Sequence, residues 1–122
     1  MTSSKKTLVL GASDKPERYS YKAIKKLRAH GHPVMAIGSR VGKVGDIPFT
    51  RERPVTEDIN TVTLYLNAKN QQTYYNYIFS LHPKRIIFNP GAENLELKKR
   101  AEAQNIETLE ACTLVLLSTG QY

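Results

Sequence analysis

The sequence predicts an α/β fold: a three-layer, doubly wound sheet, mainly parallel, of about five strands with helices on both faces. Three observations carry this expectation. Short β-branched and apolar runs recur along the chain, at Thr7–Leu10 (TLVL), Val34–Ile37 (VMAI), Thr61–Leu66 (TVTLYL) and Arg85–Phe88 (RIIF). These runs are nearly continuous rather than alternating, which is how strands covered on both faces read. Helix-spaced patterns separate them, and strand–helix–strand alternation implies right-handed crossovers and parallel pairing.

The first run stops at Gly11, and the segment GASDKPERYS leads to a helix that begins near Tyr19. Within that helix Ala23, Ile24 and Leu27 recur at helical spacing, with Lys22, Lys25, Lys26 and Arg28 on the other side. Gly31 is placed as a left-handed stop, with Pro33 just beyond. From Gly38 to Asn60, glycines, prolines and charges read as a long connection with room for a short helix or edge segment. Before the fourth run, Tyr74, Tyr77, Ile78 and Leu81 form an i, i+3, i+4, i+7 stripe closed by Pro83. Tyr75 and Phe79 lie off that stripe and form either a second buried stripe or the surface of a homodimer. Asn94 is the expected N-cap of a helix through Gln104, whose early Glu96 and later Lys98–Arg100 suit its dipole. A weaker fifth strand, IETLE, covers Ile106–Glu110.

At 122 residues the chain reads as one domain, residues 1–122, with a flexible N-terminus over 1–6. No apolar run approaches the roughly 18 residues that span a membrane. The basic MTSSKKT precedes an apolar segment too short for a signal-peptide core, so the expected location is cytoplasmic. The single cysteine, Cys112, excludes an internal disulfide and a cysteine-clustered zinc site.

A net charge of +7 points to an anionic partner, either nucleic acid or a small phosphorylated ligand. The bases are spread over two helices and the Arg51–Arg53 loop, without a helix-turn-helix, zinc-finger or RNA-recognition signature. The expected partner is therefore a small nucleotide ligand, with no nucleic acid and no membrane.

Ligands of doubly wound sheets collect beyond the carboxyl ends of the strands. In the first such loop Gly11 permits a tight turn, and the following helix offers free N–H groups and a positive dipole end. Ser13 and Ser20 add hydroxyls, and Arg18 adds a forked guanidinium suited to phosphate oxygens. The match to G-x-G-x-x-G is poor, because Ser13 and Pro16 stand where glycines belong. The second strand ends in AIGSR, where Ser39 and Arg40 replace the acid that grips an unmodified NAD ribose. That suits an additional ribose phosphate, as in NADP or coenzyme A. Beyond the fourth run, Asn89 can hydrogen-bond a ligand or a neighbouring loop, Pro90 stiffens the backbone, and Gly91 permits close approach. Asn67 either contributes to the site or caps the helix near Asn70. His30 and His32 read as solvated helix-end histidines, and Cys112 as a buried structural thiol. No catalytic motif is present, and no metal-ligand cluster is expected.

Taken in order, Gly11–Ala12–Ser13, Arg18–Tyr19–Ser20, His30–Gly31–His32, the turn after the second strand and the late Glu110–Ala111–Cys112 resemble the CoA-binding domain family. The likeness is to its small stand-alone members, related to the CoA-binding Rossmann domain of succinyl-CoA synthetase. The resemblance implies a Rossmann-like fold and coenzyme A, or an acyl-CoA, as ligand. It implies that the first turn, with Ala12 and Tyr19, binds the pyrophosphate. It further implies that Gly38, Ser39 and Arg40 lie beside the 3′-phosphate end, with Asn89, Pro90 and Gly91 closing the site. Many members carry Asn-Pro after the second strand, where this chain has Gly38–Ser39. Stand-alone members lack the synthetase's catalytic domains, so the implied role is a non-catalytic or regulatory binding module. The rival readings are an NADP-type oxidoreductase and a scaffold with a degenerate nucleotide site.

Overall fold

The structure is a computed structural model that describes residues 4–122. Of the N-terminal segment expected to be flexible, residues 1–3 lie outside the described residues. The main chain of Lys6 already accepts N–H bonds from Asn60 and Thr61 at the start of the sheet.

Seven strands form one sheet: β1 (Thr7–Ala12), β2 (Val34–Gly38), β3 (Gly42–Val44), β4 (Ile47–Thr50), β5 (Thr61–Leu64), β6 (Arg85–Phe88) and β7 (Glu107–Glu110). Their order is β3-β4-β2-β1-β5-β6-β7. All neighbouring pairs are parallel except β3 with β4. The sheet thus has seven strands rather than the five expected. The two additions are the hairpin β3–β4, which lies in the long connection after Gly38 and sets β4 parallel to β2. Its turn is tied to the first helix, α1 (Tyr19–Ala29), by an Arg28–Asp46 ion pair at 2.8 Å. That pair holds the Asp46 carboxyl below the usual carboxylate range, through its hydrogen bond to the guanidinium.

The other helices are α2 (Ala68–Gln71), α3 (Tyr75–Ser80), α4 (Leu95–Glu102) and α5 (Thr113–Ser118). A single 3₁₀ turn, Gln72–Tyr74, joins α2 to α3. Alternate residues of the strands face opposite layers. Leu8, Leu10, Val62, Leu64, Ile86 and Phe88 pack with Ile78, Leu97 and Ala101 of α3 and α4. Val9 and Ala36 pack with Ile24 and Leu27 of α1 and Leu117 of α5. Burial on both faces explains the unbroken apolar runs, and each fully buried Leu or Ile contributes about 1.5–3 kcal/mol relative to exposure. Tyr75 is buried and Phe79 packs against the same core, so both serve as a second inward stripe.

Asn94 caps α4 by accepting the Leu97 N–H at 3.2 Å, and its amide also donates to Gln71 and Tyr75. The helix α5 arises in the apolar stretch around Cys112, which carries no helix signature of its own. Its start is fixed from outside, because the Thr113 N–H donates to Asn89 Oδ1 at 2.8 Å. The Asn89 amide donates in turn to Thr63 Oγ1 (2.7 Å) and to the Leu64 carbonyl (2.9 Å). One buried side chain thereby joins β5, β6 and α5.

Replacing Asn89 by Ala strands the Thr113 N–H and the Leu64 carbonyl in the interior. The expected loss is roughly 2–4 kcal/mol of unfolding free energy in a urea titration. A loss below about 0.5 kcal/mol, the usual range of surface changes, would contradict this role.

Candidate functional site

The pairing of β1 with β2 breaks register between Leu10 and Ala12. Gly11 sits at the break with φ +95°, a conformation that L residues rarely adopt. A Cβ there would lie 3.1 Å from the Tyr65 main chain, so glycine answers both the turn and the close approach. The loop then folds on itself: the Lys15 N–H donates to Ser13 Oγ at 3.1 Å, and the Arg18 N–H to the Lys15 carbonyl at 3.0 Å. Arg18 occupies the N-cap of α1, but its side chain makes no capping bond, and no acid stands in the first turn. Asn67 and Asn94, by contrast, cap their helices with side-chain oxygens. The first N–H groups of α1 therefore have no side-chain acceptor and are left for an external one.

A cleft of about 400 Å³ opens above this turn, at the carboxyl ends of β1, β2, β5 and β6. Gly11, Ala12, Ser13, Arg18, Tyr19 and Ser20 line it from the first loop. Ser39 and Arg40 line it from the end of β2, and Pro90 and Gly91 from the end of β6. The charged residues in its wall are Lys15, Arg18 and Arg40, all bases.

Three residues expected at the site do not line the cleft. A Cβ on Gly38 would meet the Ala12 carbonyl oxygen at 2.5 Å and the Phe49 ring at 3.0 Å. Glycine there lets β1 and β2 approach and makes room for Phe49. Asn67 accepts the Asn70 N–H at 2.9 Å, as the helix-cap alternative required. Asn89 points into the interior and braces the strands beneath the site.

The structure adds residues that the motifs did not single out. Lys15, Phe49, Tyr65, Leu66 and Ala92 complete the wall. Gln71, fully buried, donates to the Leu66 and Ala92 carbonyls at 2.7 Å each and so clamps the β5 loop to the β6 loop. Tyr65 follows β5 directly, and its position at a strand's carboxyl end was the available signal. Its hydroxyl is buried without a hydrogen-bond partner, while Thr63 and Thr113 beside it bond to each other at 2.8 Å. Burial pushes the phenol above its ordinary value of 10, so it stays protonated. Cys112 is half-buried at the N-cap of α5 rather than fully enclosed. His30 is exposed, but His32 is only 7% exposed and lies in the protein, not in solvent. Among the described residues no group of three or more metal-ligating side chains converges, and no helix is long and apolar enough to cross a membrane.

A doubly wound, mainly parallel sheet with a basic cleft over its first strand–helix turn is a Rossmann-like α/β fold. The chain belongs to the CoA-binding domain family, whose model matches residues 5–118. It is 48% identical to a protein of known crystal structure, described only as uncharacterized, over 99% of this chain and 100% of that one, with a TM-score of 0.96. A Thermus thermophilus protein superposes with a TM-score of 0.85 at 16% identity, over 98% of this chain and 91% of its own. A hypothetical protein from Pyrococcus horikoshii gives the same score at 24% identity, over 95% and 83%. These two likenesses concern the fold alone. No functionally curated protein matches the chain.

Gly38→Ala should destabilise the protein by about 1–3 kcal/mol, because the backbone of β1 must yield to the new methyl. Thermal unfolding at an unchanged midpoint would show that the Ala12–Gly38 approach has slack.

Proposed function

We propose that the cleft binds coenzyme A, or an acyl-CoA, and that the protein works as a non-catalytic or regulatory binding module. The observation that carries this reading is the charge of the wall: Lys15, Arg18 and Arg40 converge on it without a lining carboxylate. Membership of the CoA-binding domain family supplies the ligand class.

In this reading the pyrophosphate lies against the Gly11–Ser13 turn and the uncapped start of α1. Main-chain N–H groups and the helix dipole there favour negative charge. Arg18 supplies paired N–H donors to phosphate oxygens, and Ser13 and Ser20 supply hydroxyls. Ser39 and Arg40 take the 3′-phosphate of the ribose. Pro90 and Gly91 close the opposite wall, which Gln71 holds in place through Ala92. A volume of about 400 Å³ lies toward the small end of ligand pockets, so part of an extended ligand rests on the rim. The reading needs no acid–base pair and no homodimer.

Calorimetric titration with CoA, dephospho-CoA, NADP and NAD tests it. CoA should bind most tightly and dephospho-CoA more weakly, and Arg40→Ala should abolish that difference. Equal binding of CoA and dephospho-CoA by the native protein would remove Arg40 from the 3′-phosphate. A preference for NADP would favour the oxidoreductase reading, and silence toward every nucleotide at millimolar concentration would favour the scaffold. Arg18→Ala should weaken CoA binding by roughly 1–3 kcal/mol, the worth of a hydrogen bond to a charged group.

A further inference from the structure

At the end of the sheet away from the cleft, the last residue of α5's trailing segment is held by four others. The Tyr122 ring lies 4.3 Å from the Arg85 guanidinium and 4.8 Å from the His32 ring. Its hydroxyl pairs with Thr7 Oγ1, and its main-chain oxygen accepts from Lys5 Nζ. The tail is also tied back to its helix, since the Gln121 and Tyr122 N–H groups donate to the Leu116 carbonyl at 2.8 and 3.1 Å.

This cage is rich in positive charge. Arg85 is 8% exposed; its Nε donates to Thr61 Oγ1 at 2.7 Å, but its Nη2 is buried without a partner. The Tyr122 ring face is what it has instead, a cation–π contact in a desolvated place. Lys5 stands 5.7 Å from the centroid of the same ring. His32 is the one neutral base in this group, and its neutrality has a structural cause. The Lys5 main-chain N–H donates to His32 Nδ1 at 2.9 Å, which requires a lone pair on that nitrogen.

We propose that Tyr122 is a clasp that keeps α5 seated, and that proton uptake by His32 opens it. A proton on Nδ1 removes the acceptor that fixes Lys5. It also sets a new cation beside Arg85, whose charge already lacks a full set of partners. The groups that face His32 are Lys5 of the N-terminal segment, His30 at the end of α1, Arg85 of β6 and the Tyr122 ring. Glu107 of β7 is the acid that acts on Lys5. Burial first, then His30, Lys5 and Arg85, hold the imidazole below its ordinary 6.5.

A base with a depressed value favours the closed form above its ordinary value. That advantage is complete above 6.5 and is lost as pH falls below 6.5 toward the closed-state value. The helix at stake is six residues long and cannot hold itself. It is pinned at Thr113 by Asn89, by buried Leu117 against α1 and by Lys26 Nζ on Ser118 Oγ, and the segment beyond it is held by the clasp. Opening the clasp therefore loosens the segment Thr119–Tyr122 at the end of α5, while Leu117 and the parallel sheet stay packed. The device stands whether or not the cleft takes CoA.

Amide hydrogen exchange on the full chain, from pH 7.5 to 5.0 and corrected for intrinsic rates, tests it. Protection of Gln121 and Tyr122 should fall below pH 6.5, by at most about tenfold per pH unit, the limit for one proton. Protection of β1 and β5 should not change. In Tyr122→Ala, protection of the tail should be low and independent of pH. In His32→Gln, which retains an acceptor but does not titrate, it should be pH-independent. Should His32→Gln fail to fold, the His32 titration followed by NMR decides: below 6.5 in the native protein, moving back toward it in Tyr122→Ala. Tail protection that ignores pH in the native protein, that falls equally in His32→Gln, or a His32 that titrates at its ordinary value in both proteins would overturn the proposal.

Discussion

Parallel pairing of β1 with β2 on one edge and with β5 on the other is the constraint on which the rest of the molecule depends. Each parallel neighbour demands a crossover, and the right-handed crossovers on the two sides of β1 send their helices to opposite faces. The chain therefore leaves β1 toward α1 on one layer and leaves β5 toward α2 and α3 on the other. Where those exits diverge, no helix covers the carboxyl ends of the strands, and the cleft is the gap that remains. Gly11 allows the chain to turn away against Tyr65. Gln71 and Asn89 then fix the two loops that form the farther wall.

The two ends of the sheet are both basic, and they treat that charge differently. At the carboxyl end Lys15, Arg18 and Arg40 face an open cleft, and the start of α1 lacks a side-chain cap. Among the described residues none of these three bases forms an ion pair, an arrangement that suits an anionic ligand. At the amino end Arg85, Lys5 and His32 surround an aromatic ring supplied by the chain itself. That end is closed on its own tail, and its chemistry concerns the seating of α5. The overall charge of the chain is thus divided between an open basic cleft, a self-filled cage and solvated helix faces.

The doubly wound fold was legible because strands buried on both faces leave continuous β-branched runs, and Tyr19 and Asn94 marked their helix starts correctly. The hairpin β3–β4 was legible only as room for an edge segment, since its strands are short and half-exposed, meet at the Gly45 turn and include Pro48. The helix α5 was hidden because its boundary is set by Asn89, a residue 24 positions away, rather than by a local cap. The first loop, Ser39–Arg40 and Pro90–Gly91 line the cleft because loops at the carboxyl ends of the strands in this fold occupy predictable places. Gly38, Asn67 and Asn89 sit in those same loops but serve packing, a helix cap and a strand brace. A small or polar residue at a strand end suits either duty, and only the side-chain direction separates them. His32 was misjudged and Tyr65 was not singled out for a related reason: burial depends on which distant segments fold over a residue, Tyr122 in one case and Thr113 in the other.

The most direct test maps where the nucleotide touches the protein. Adding coenzyme A to the isotopically labelled chain should shift the backbone amides of Gly11–Ser20, Ser39–Arg40 and Gly91–Ala92, which flank the cleft. The amides around Lys6, Asn60 and His82, at the amino ends of the strands, should stay where they are. Shifts concentrated at that lower end, or none at saturating CoA, would contradict the account.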